Sequence, residues 1–190
     1  IKRDEFKKLN LSFSDEIYAD KILYDNFNLT SLNALDYSVF EEADIVHDLN
    51  KPIINKEKQF DTILDFGTSE HVFDISQCLK NISTLCKIGG VIVHCLPANN
   101  NCGHGFWQFS PELFYELYSP ENGFAKTEVF IIDWEWIDTQ IKNSKKGYVI
   151  KMTKELANYD IGFRHVRAIK GKNMLGIWSK TTKVENKEIR

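Results

Sequence analysis

Residues 60–97 read FDTILDFGTSEHVFDISQCLKNISTLCKIGGVIVHCLP. The hydrophobic period changes twice along them, and those changes decide the fold class. FDTILDFGT is a short apolar run that stops at Asp65 and Gly67, as a strand ending in a turn does. In the following stretch Val72, Ile75, Leu79, Ile82 and Leu85 recur at three- and four-residue spacing, so one stripe of a helix is buried against a sheet. Ser69 is the expected N-cap of that helix and Gly89 its expected stop. VIVHCLP is then nearly all apolar, as a strand covered on both faces should be.

Upstream, SDEIYADKILYDNF places Ile17, Ile22, Leu23 and Phe27 near helical spacing behind a Ser14 cap. SLNALDYS reads as a strand ending at Asp36, and ADIVHDLN as another ending at Asp48. Downstream, Ser110 before Pro111 opens a helix over SPELFYELYS. KTEVFIIDWEWI, the polar stretch IKNSKKG and a helix over MTKELANYD follow. A strand pair turning at GKN (171–173) comes next, and the charged tail 181–190 is expected to fray.

This order implies an α/β fold: a doubly wound, mostly parallel Rossmann-like sheet with helices on both faces and an antiparallel C-terminal hairpin. Ligands in such sheets sit at the carboxyl ends of the strands, so Asp36, Asp48, Asp65 to Gly67 and the loop after VIVHCLP are expected to share one edge.

The chain's 190 residues suit one domain, and 43% hydrophobic against 27% charged residues excludes a disordered chain. The longest apolar runs, VIVHCLP and VFIIDWEWI, are too short to span a bilayer. IKRDEFKKLNLSF lacks the pattern of a secretory signal, and a net charge of −3 gives no general pull toward nucleic acid. Cys78, Cys86, Cys95 and Cys102 form neither a C-x-x-C pair nor a dense scaffold, which points to reduced thiols and a cytoplasmic setting.

Four stretches, LDYSVFEEADIVHDLN, FDTILDFGTSEHV, LCKIGGVIVHCLP and GHGFWQFSP, carry a family resemblance over residues 31–118. In order and spacing they resemble the class I (Rossmann-like) S-adenosylmethionine-dependent methyltransferases, particularly the bacterial branch acting on small molecules and glycan precursors. The resemblance implies that Asp36, with Tyr37 beside it, accepts hydrogen bonds from the ribose of S-adenosylmethionine. It implies that Asp48 and Leu49 meet the adenine, and that Asp65, Phe66 and Gly67 lie under the methionine portion. One departure stands out: the family's first strand and glycine-rich loop should precede the helix at 15–27, and KKLNLSF has no glycine. Either that element lies upstream of Ile1 or the site is degenerate; because the other strand ends look intact, the first is expected.

The implied activity is methyl transfer to a small polar acceptor, a sugar or glycan-pathway metabolite, with neither nucleic acid nor membrane as partner. His104, between Gly103 and Gly105, is the first candidate for the base that removes the acceptor proton, and His71 the second. Glu70, Phe106 and Trp107 are the candidates for the acceptor side. His94, inside an apolar strand, reads as a hydrogen-bonded core histidine. A zinc set of His94, Cys95, Cys102 and His104 is disfavoured because strand neighbours point to opposite faces, so no metal is expected. The alternative from another class is a non-catalytic module of the same fold that binds a partner through Trp134 and Trp136.

Overall fold

A computed structural model describes residues 23–24, 27–39, 42–54, 59–133, 149–154 and 174–189. Two compact units divide between Asp48 and Leu49. In the first, β1 (Leu35–Asp36) and β2 (Ile45–Val46) pair in parallel, Leu35 opposite Ile45 and Asp36 opposite Val46. The backbone N–H of His47 donates to the Asp36 carbonyl at 2.9 Å, and that of Ala34 to the Asp44 carboxylate at 2.7 Å. β1 ends at Asp36 as the sequence places it, whereas β2 ends at Val46, two residues before the expected Asp48. The helix expected over 14–27 lies outside the described residues, apart from helical Leu23 and Tyr24 and the residues from Phe27 on.

Among the described residues, the second unit has five strands: β3 (Phe60–Phe66), β4 (Cys86–Pro97), β5 (Phe124–Asp133), β6 (Val149–Met152) and β7 (Leu175–Lys183). Their order is β3-β4-β7-β5-β6. β3 pairs with β4 in parallel, while the β4–β7, β7–β5 and β5–β6 pairings are antiparallel. The sheet is therefore mixed rather than mostly parallel. Because β7 runs against both neighbours, β3, β4 and β5 still point the same way and deliver their carboxyl ends to one edge. The last strand is antiparallel as expected, but it is inserted between β4 and β5 instead of closing an edge.

Helix α1 (Ile75–Leu85) and helix α2 (Pro111–Leu117) contribute to one core cluster. Ile92 and Leu96 of β4, Ile177 of β7 and Val129 and Ile131 of β5 meet Leu79, Ile82 and Phe114 there. Period-two burial along β4 and β7 and helical spacing along α1 supply the matching faces. Among the described residues, helices cover one face of this sheet, and no helix is long and apolar enough to cross a membrane.

The helix expected from Ser69 to Gly89 is shorter at both ends. Ser69–His71 form a 3-10 turn, because the Ser69 hydroxyl is drawn to the Asp65 carboxylate at 2.6 Å and is lost as a cap. Asp74 caps α1 instead, its side chain accepting from the Gln77 N–H at 3.0 Å. At the other end β4 begins at Cys86 without a glycine stop. Gly89 and Gly90 lie in a bulge where the register jumps from Phe60–Cys86 to Thr62–Val91. A Cβ on Gly90 would lie 2.9 Å from Cys86 Sγ and 3.0 Å from the Asp61 carbonyl, so the bulge requires glycine there.

Residues 181–190, expected to fray, include the end of β7 and the buried Ile189. Buried Lys183 donates to the carbonyls of Ser83 and Cys86, at 2.8 and 3.1 Å, and so caps the C-terminal end of α1. Met152 closes β6 rather than opening a helix. Residues 134–148 and 155–173, with Trp134, Trp136 and the GKN turn, lie outside the described residues.

The two helix starts generate a contrast. Asp74→Ala removes a cap bond and should lower stability by about 1 kcal/mol. Ser110, at the N-cap position of α2, makes no side-chain cap bond, so Ser110→Ala should stay within roughly 0.5 kcal/mol. Urea unfolding with an unchanged m-value measures both, and equal losses would contradict the assignment.

Candidate functional site

The carboxyl edge of β3 and β4 is organised from below by a buried polar chain. Asp65 points to the core face of β3, where its carboxylate accepts from the backbone N–H groups of Thr68 and Ser69 and from the Ser69 hydroxyl. His94 of β4 lies opposite Asp65 in the ladder, with its Nδ1 2.7 Å from Asp65 Oδ2. Burial pushes the Asp65 carboxyl up, but the hydrogen bond and charge of His94, together with Ser69, hold it below its ordinary value. A carboxylate only accepts, so His94 Nδ1 carries the proton. On the far side of the ring, Nε2 lies 2.6 Å from the Tyr118 hydroxyl. Burial pushes that phenol well above its ordinary value, so it stays protonated and donates.

This chain fixes the turn that leaves β3. Gly67, with φ of +89°, redirects the backbone, and the 3-10 turn then presents Glu70 and His71. The loop leaving β4 is pinned at both ends: the Ala98 N–H donates to the Leu175 carbonyl at 2.8 Å, and the Phe109 N–H to the Pro97 carbonyl at 2.9 Å. Buried Asn101 donates to the carbonyls of Asn99 and Leu175. In between, the N–H groups of Phe106 and Trp107 both donate to the Glu70 carbonyl, and Trp107 Nε1 donates to the Val72 carbonyl at 2.9 Å.

Gly105 is explained by that contact. Its φ is +71°, and a Cβ there would lie 2.7 Å from Glu70 Cγ and 2.9 Å from the Glu70 carbonyl. Gly103, with φ of +88° and nothing nearby, serves only the backbone bend. Together they lower His104 onto Glu70, with Nε2 3.3 Å from Oε1. His71 Nε2 is 3.9 Å from the same oxygen, and the two imidazoles meet edge to face at 5.1 Å between centroids. Glu70 is only 1% exposed, while the His71 and His104 side chains are 53% and 59% exposed. A buried acid thus sits beneath two open imidazoles. The second carboxylate oxygen, Glu70 Oε2, is buried and has no hydrogen-bond partner among the described residues.

Of the residues singled out from sequence, the structure brings Glu70, His71 and His104 into one cluster, and a Cβ on Gly67 would lie 3.5 Å from Glu70 Oε1. Phe106 is exposed and meets Phe73 edge to face, and Trp107 lines an open groove with Ile75, Leu79, Phe109 and Leu113. Phe66 is exposed, whereas Asp65 is buried and fully engaged in holding the turn. In the first unit, Asp36 is exposed at the end of β1, and its Oδ1 accepts from the Ser38 N–H and hydroxyl. Tyr37 is exposed and Asp48 half-buried there. Leu49, in the second unit, packs against the core, and its carbonyl accepts from Asn81 Nδ2.

Tyr118 and Asn81 were not singled out from sequence. Asn81 donates to the Leu49 and Lys51 carbonyls and accepts from the Ile53 N–H, tying residues 49–53 to α1. A polar residue on the buried stripe of an amphipathic helix was the available signal. The zinc set weighed from sequence does not form: His94 is enclosed, with both ring nitrogens used, and burial raises the Cys95 thiol to about 11.

No protein-family model and no curated protein matches the chain. Among solved structures, phosphoethanolamine N-methyltransferase 2 of Haemonchus contortus, in complex with S-adenosyl-L-methionine, is similar with a TM-score of 0.53 at 14% identity. The match covers 87% of this chain and 46% of that one. A S-adenosylmethionine-dependent methyltransferase of Thermotoga maritima gives 0.46 at 17% identity, over 73% and 62% of the two chains. The O-methyltransferase segment StiE O-MT gives 0.39 at 14% identity, over 74% and 49%. This chain spans less than two thirds of the length of each. At 14% identity the first likeness is one of fold alone.

Two tests follow from the geometry. Gly105→Ala forces a left-handed backbone and a clash with Glu70, and should cost on the order of 1–3 kcal/mol in thermal or urea unfolding. Gly103→Ala keeps the strain without the clash and should cost less. The Asp65 carboxyl is held below its ordinary 3.8, so its stabilising contribution is fully present above that value and is lost as pH falls through the folded value. The stability gap between the parent chain and Asp65→Asn should therefore shrink below about pH 4. A gap that stays constant from pH 7 to pH 3 would show that Asp65 holds no proton-linked role.

Proposed function

We propose that this chain acts in S-adenosylmethionine-dependent O-methyl transfer to a small polar molecule, a sugar or glycan-pathway metabolite. The observation that carries the reading is the pairing of His104 with buried Glu70 at the carboxyl edge of β3 and β4. Likeness of fold to a methyltransferase that holds S-adenosylmethionine supports the cofactor. The acceptor class rests on the sequence resemblance.

Each unit, taken by itself, has residues that suit a part of the cofactor. Asp36 ends a parallel strand with an exposed carboxylate whose Oδ1 is fixed by Ser38, leaving Oδ2 for a ribose hydroxyl. Gly67 keeps the end of β3 free of side-chain bulk beside exposed Phe66. When bound, S-adenosylmethionine supplies an electrophilic methyl on a sulfonium.

Glu70 and His104 would supply the rest. Hydrogen-bonded to a carboxylate through Nε2–H, the His104 imidazole presents the Nδ1 lone pair. An acceptor hydroxyl donating to Nδ1 is held by an exposed ring whose tautomer the buried acid sets. Nδ1 would take the proton that the acceptor hydroxyl gives up, and Glu70 would stabilise the imidazolium. Phe106, with Phe73, flanks the approach.

His104→Ala should leave S-adenosylmethionine affinity nearly unchanged and lower turnover by roughly 10²- to 10⁴-fold. Asp36→Ala should instead weaken cofactor affinity first, by loss of a charge-assisted hydrogen bond worth on the order of 1.5–3 kcal/mol. Calorimetric titration with S-adenosylmethionine and a methyl-transfer assay separate the two. Absence of cofactor binding by the protein would overturn the reading. Near-normal turnover in His104→Ala would move the base to His71.

A further inference from the structure

The Glu70 carboxylate is nearly completely enclosed, yet one of its oxygens, Oε2, has no hydrogen-bond partner among the described residues. Burying a carboxylate without full compensation is unfavourable, and a cation is the natural remedy. The groups nearest to it that can hold a cation are two imidazoles. His104 Nε2 is 3.3 Å and His71 Nε2 3.9 Å from Glu70 Oε1, and the three potential ligand atoms all lie within 4.8 Å of one another.

We propose that Glu70, His71 and His104 form a binding site for a divalent first-row transition ion of the zinc class. Ion–ligand bonds of about 2.0–2.2 Å at tetrahedral angles place ligand atoms about 3.3–3.5 Å apart. The Glu70–His104 separation already has this value, and the His71 ring, more than half exposed, has room to close the rest. Two imidazoles and one carboxylate suit zinc, cobalt or nickel, whereas magnesium and calcium prefer all-oxygen sets. Three protein ligands with both histidines open to solvent leave a coordination position free, the arrangement of a reactive rather than a purely structural site.

The cradle is built rather than accidental. Glu70 is held through its carbonyl by the N–H groups of Phe106 and Trp107, and Gly105 admits the loop against its side chain. The His104 N–H donates to the Asn101 carbonyl at 3.1 Å, which fixes the backbone that carries the second imidazole. Binding would move the Nε2 proton of His104 away and leave Nδ1 protonated, so an ion and proton transfer to Nδ1 exclude each other on this residue.

Titration of the untagged full chain, stripped by chelator, with Zn²⁺ in a calorimeter and with Co²⁺ followed by visible absorption tests the site. Neither measurement needs cofactor or acceptor, so its failure leaves the methyl-transfer reading standing, and loss of that reading leaves the metal site standing. One ion per chain is expected, with Co²⁺ giving intense bands of low coordination number. His71→Ala, at an exposed side chain, should keep the fold and weaken affinity by 100-fold or more, beyond the roughly 10- to 100-fold expected of an outer-shell change. Glu70→Gln, with its fold checked by circular dichroism, should do the same, and Cys102→Ser should change nothing. No binding by the parent chain overturns the proposal. So does binding that survives His71→Ala and Glu70→Gln, or binding that Cys102→Ser abolishes.

Discussion

Asp65 and His94 face each other across the parallel β3–β4 pair and share a hydrogen bond of 2.7 Å inside the core. An ionised acid in that position would be costly on its own, so every acceptor site on it is used: by His94, by the Ser69 hydroxyl and by two backbone N–H groups. The backbone contacts are the consequential ones. They fold the chain sharply after Phe66 and set the 3-10 turn from which Glu70 and His71 project. Tyr118 closes the other end of the network from just beyond α2, so the turn is coupled to a second helix packed on the same core.

The second acid, Glu70, is held differently. Its backbone carbonyl accepts two N–H groups from the loop after β4, and the loop reaches it only because Gly105 has no side chain. Two loops from adjacent strands are thereby locked to each other, and His104 is lowered onto the acid. Asn101 and Leu175 anchor the same loop to β7, the strand whose reversed direction separates β4 from β5. The precision of the cluster comes from the sheet edge and not from the histidines, both of which remain open to solvent.

What the sequence made legible follows from which signals are local. Strand ends at Asp36 and Asp65, the apolar period of α1 and the apolar run of β4 depend on neighbouring residues, and all reappear. The start of α1 was misplaced because Ser69 and Asp74 are both good caps on local grounds. Only the long-range position of Asp65 under Ser69 decides between them. The tail read as frayed because its charges outnumber its apolar residues, yet Lys183 finds two carbonyls about a hundred residues away in sequence. Strand order was hidden for the same reason: nothing near Leu175 states that β7 enters between β4 and β5. At the site, Glu70, His71 and His104 could be named separately. Their convergence depended on Gly105 meeting Glu70 across 35 residues, which no local pattern encodes.

The arrangement also divides labour by solvent access. Glu70, enclosed at the base, cannot reach an incoming acceptor; its effect is exerted through the nitrogen it faces. With Nε2–H directed to the acid, His104 would offer Nδ1 outward as the proposed base; with Nε2 on the proposed ion, the proton would reside on Nδ1 and that base would be gone. His71 distinguishes the two states, since it lies too far from Glu70 Oε1 for a good hydrogen bond at 3.9 Å but close enough to share an ion with it. In the two proposals, one buried carboxylate would therefore serve two exclusive chemistries on a single imidazole, and the second histidine would be a ligand in only one of them.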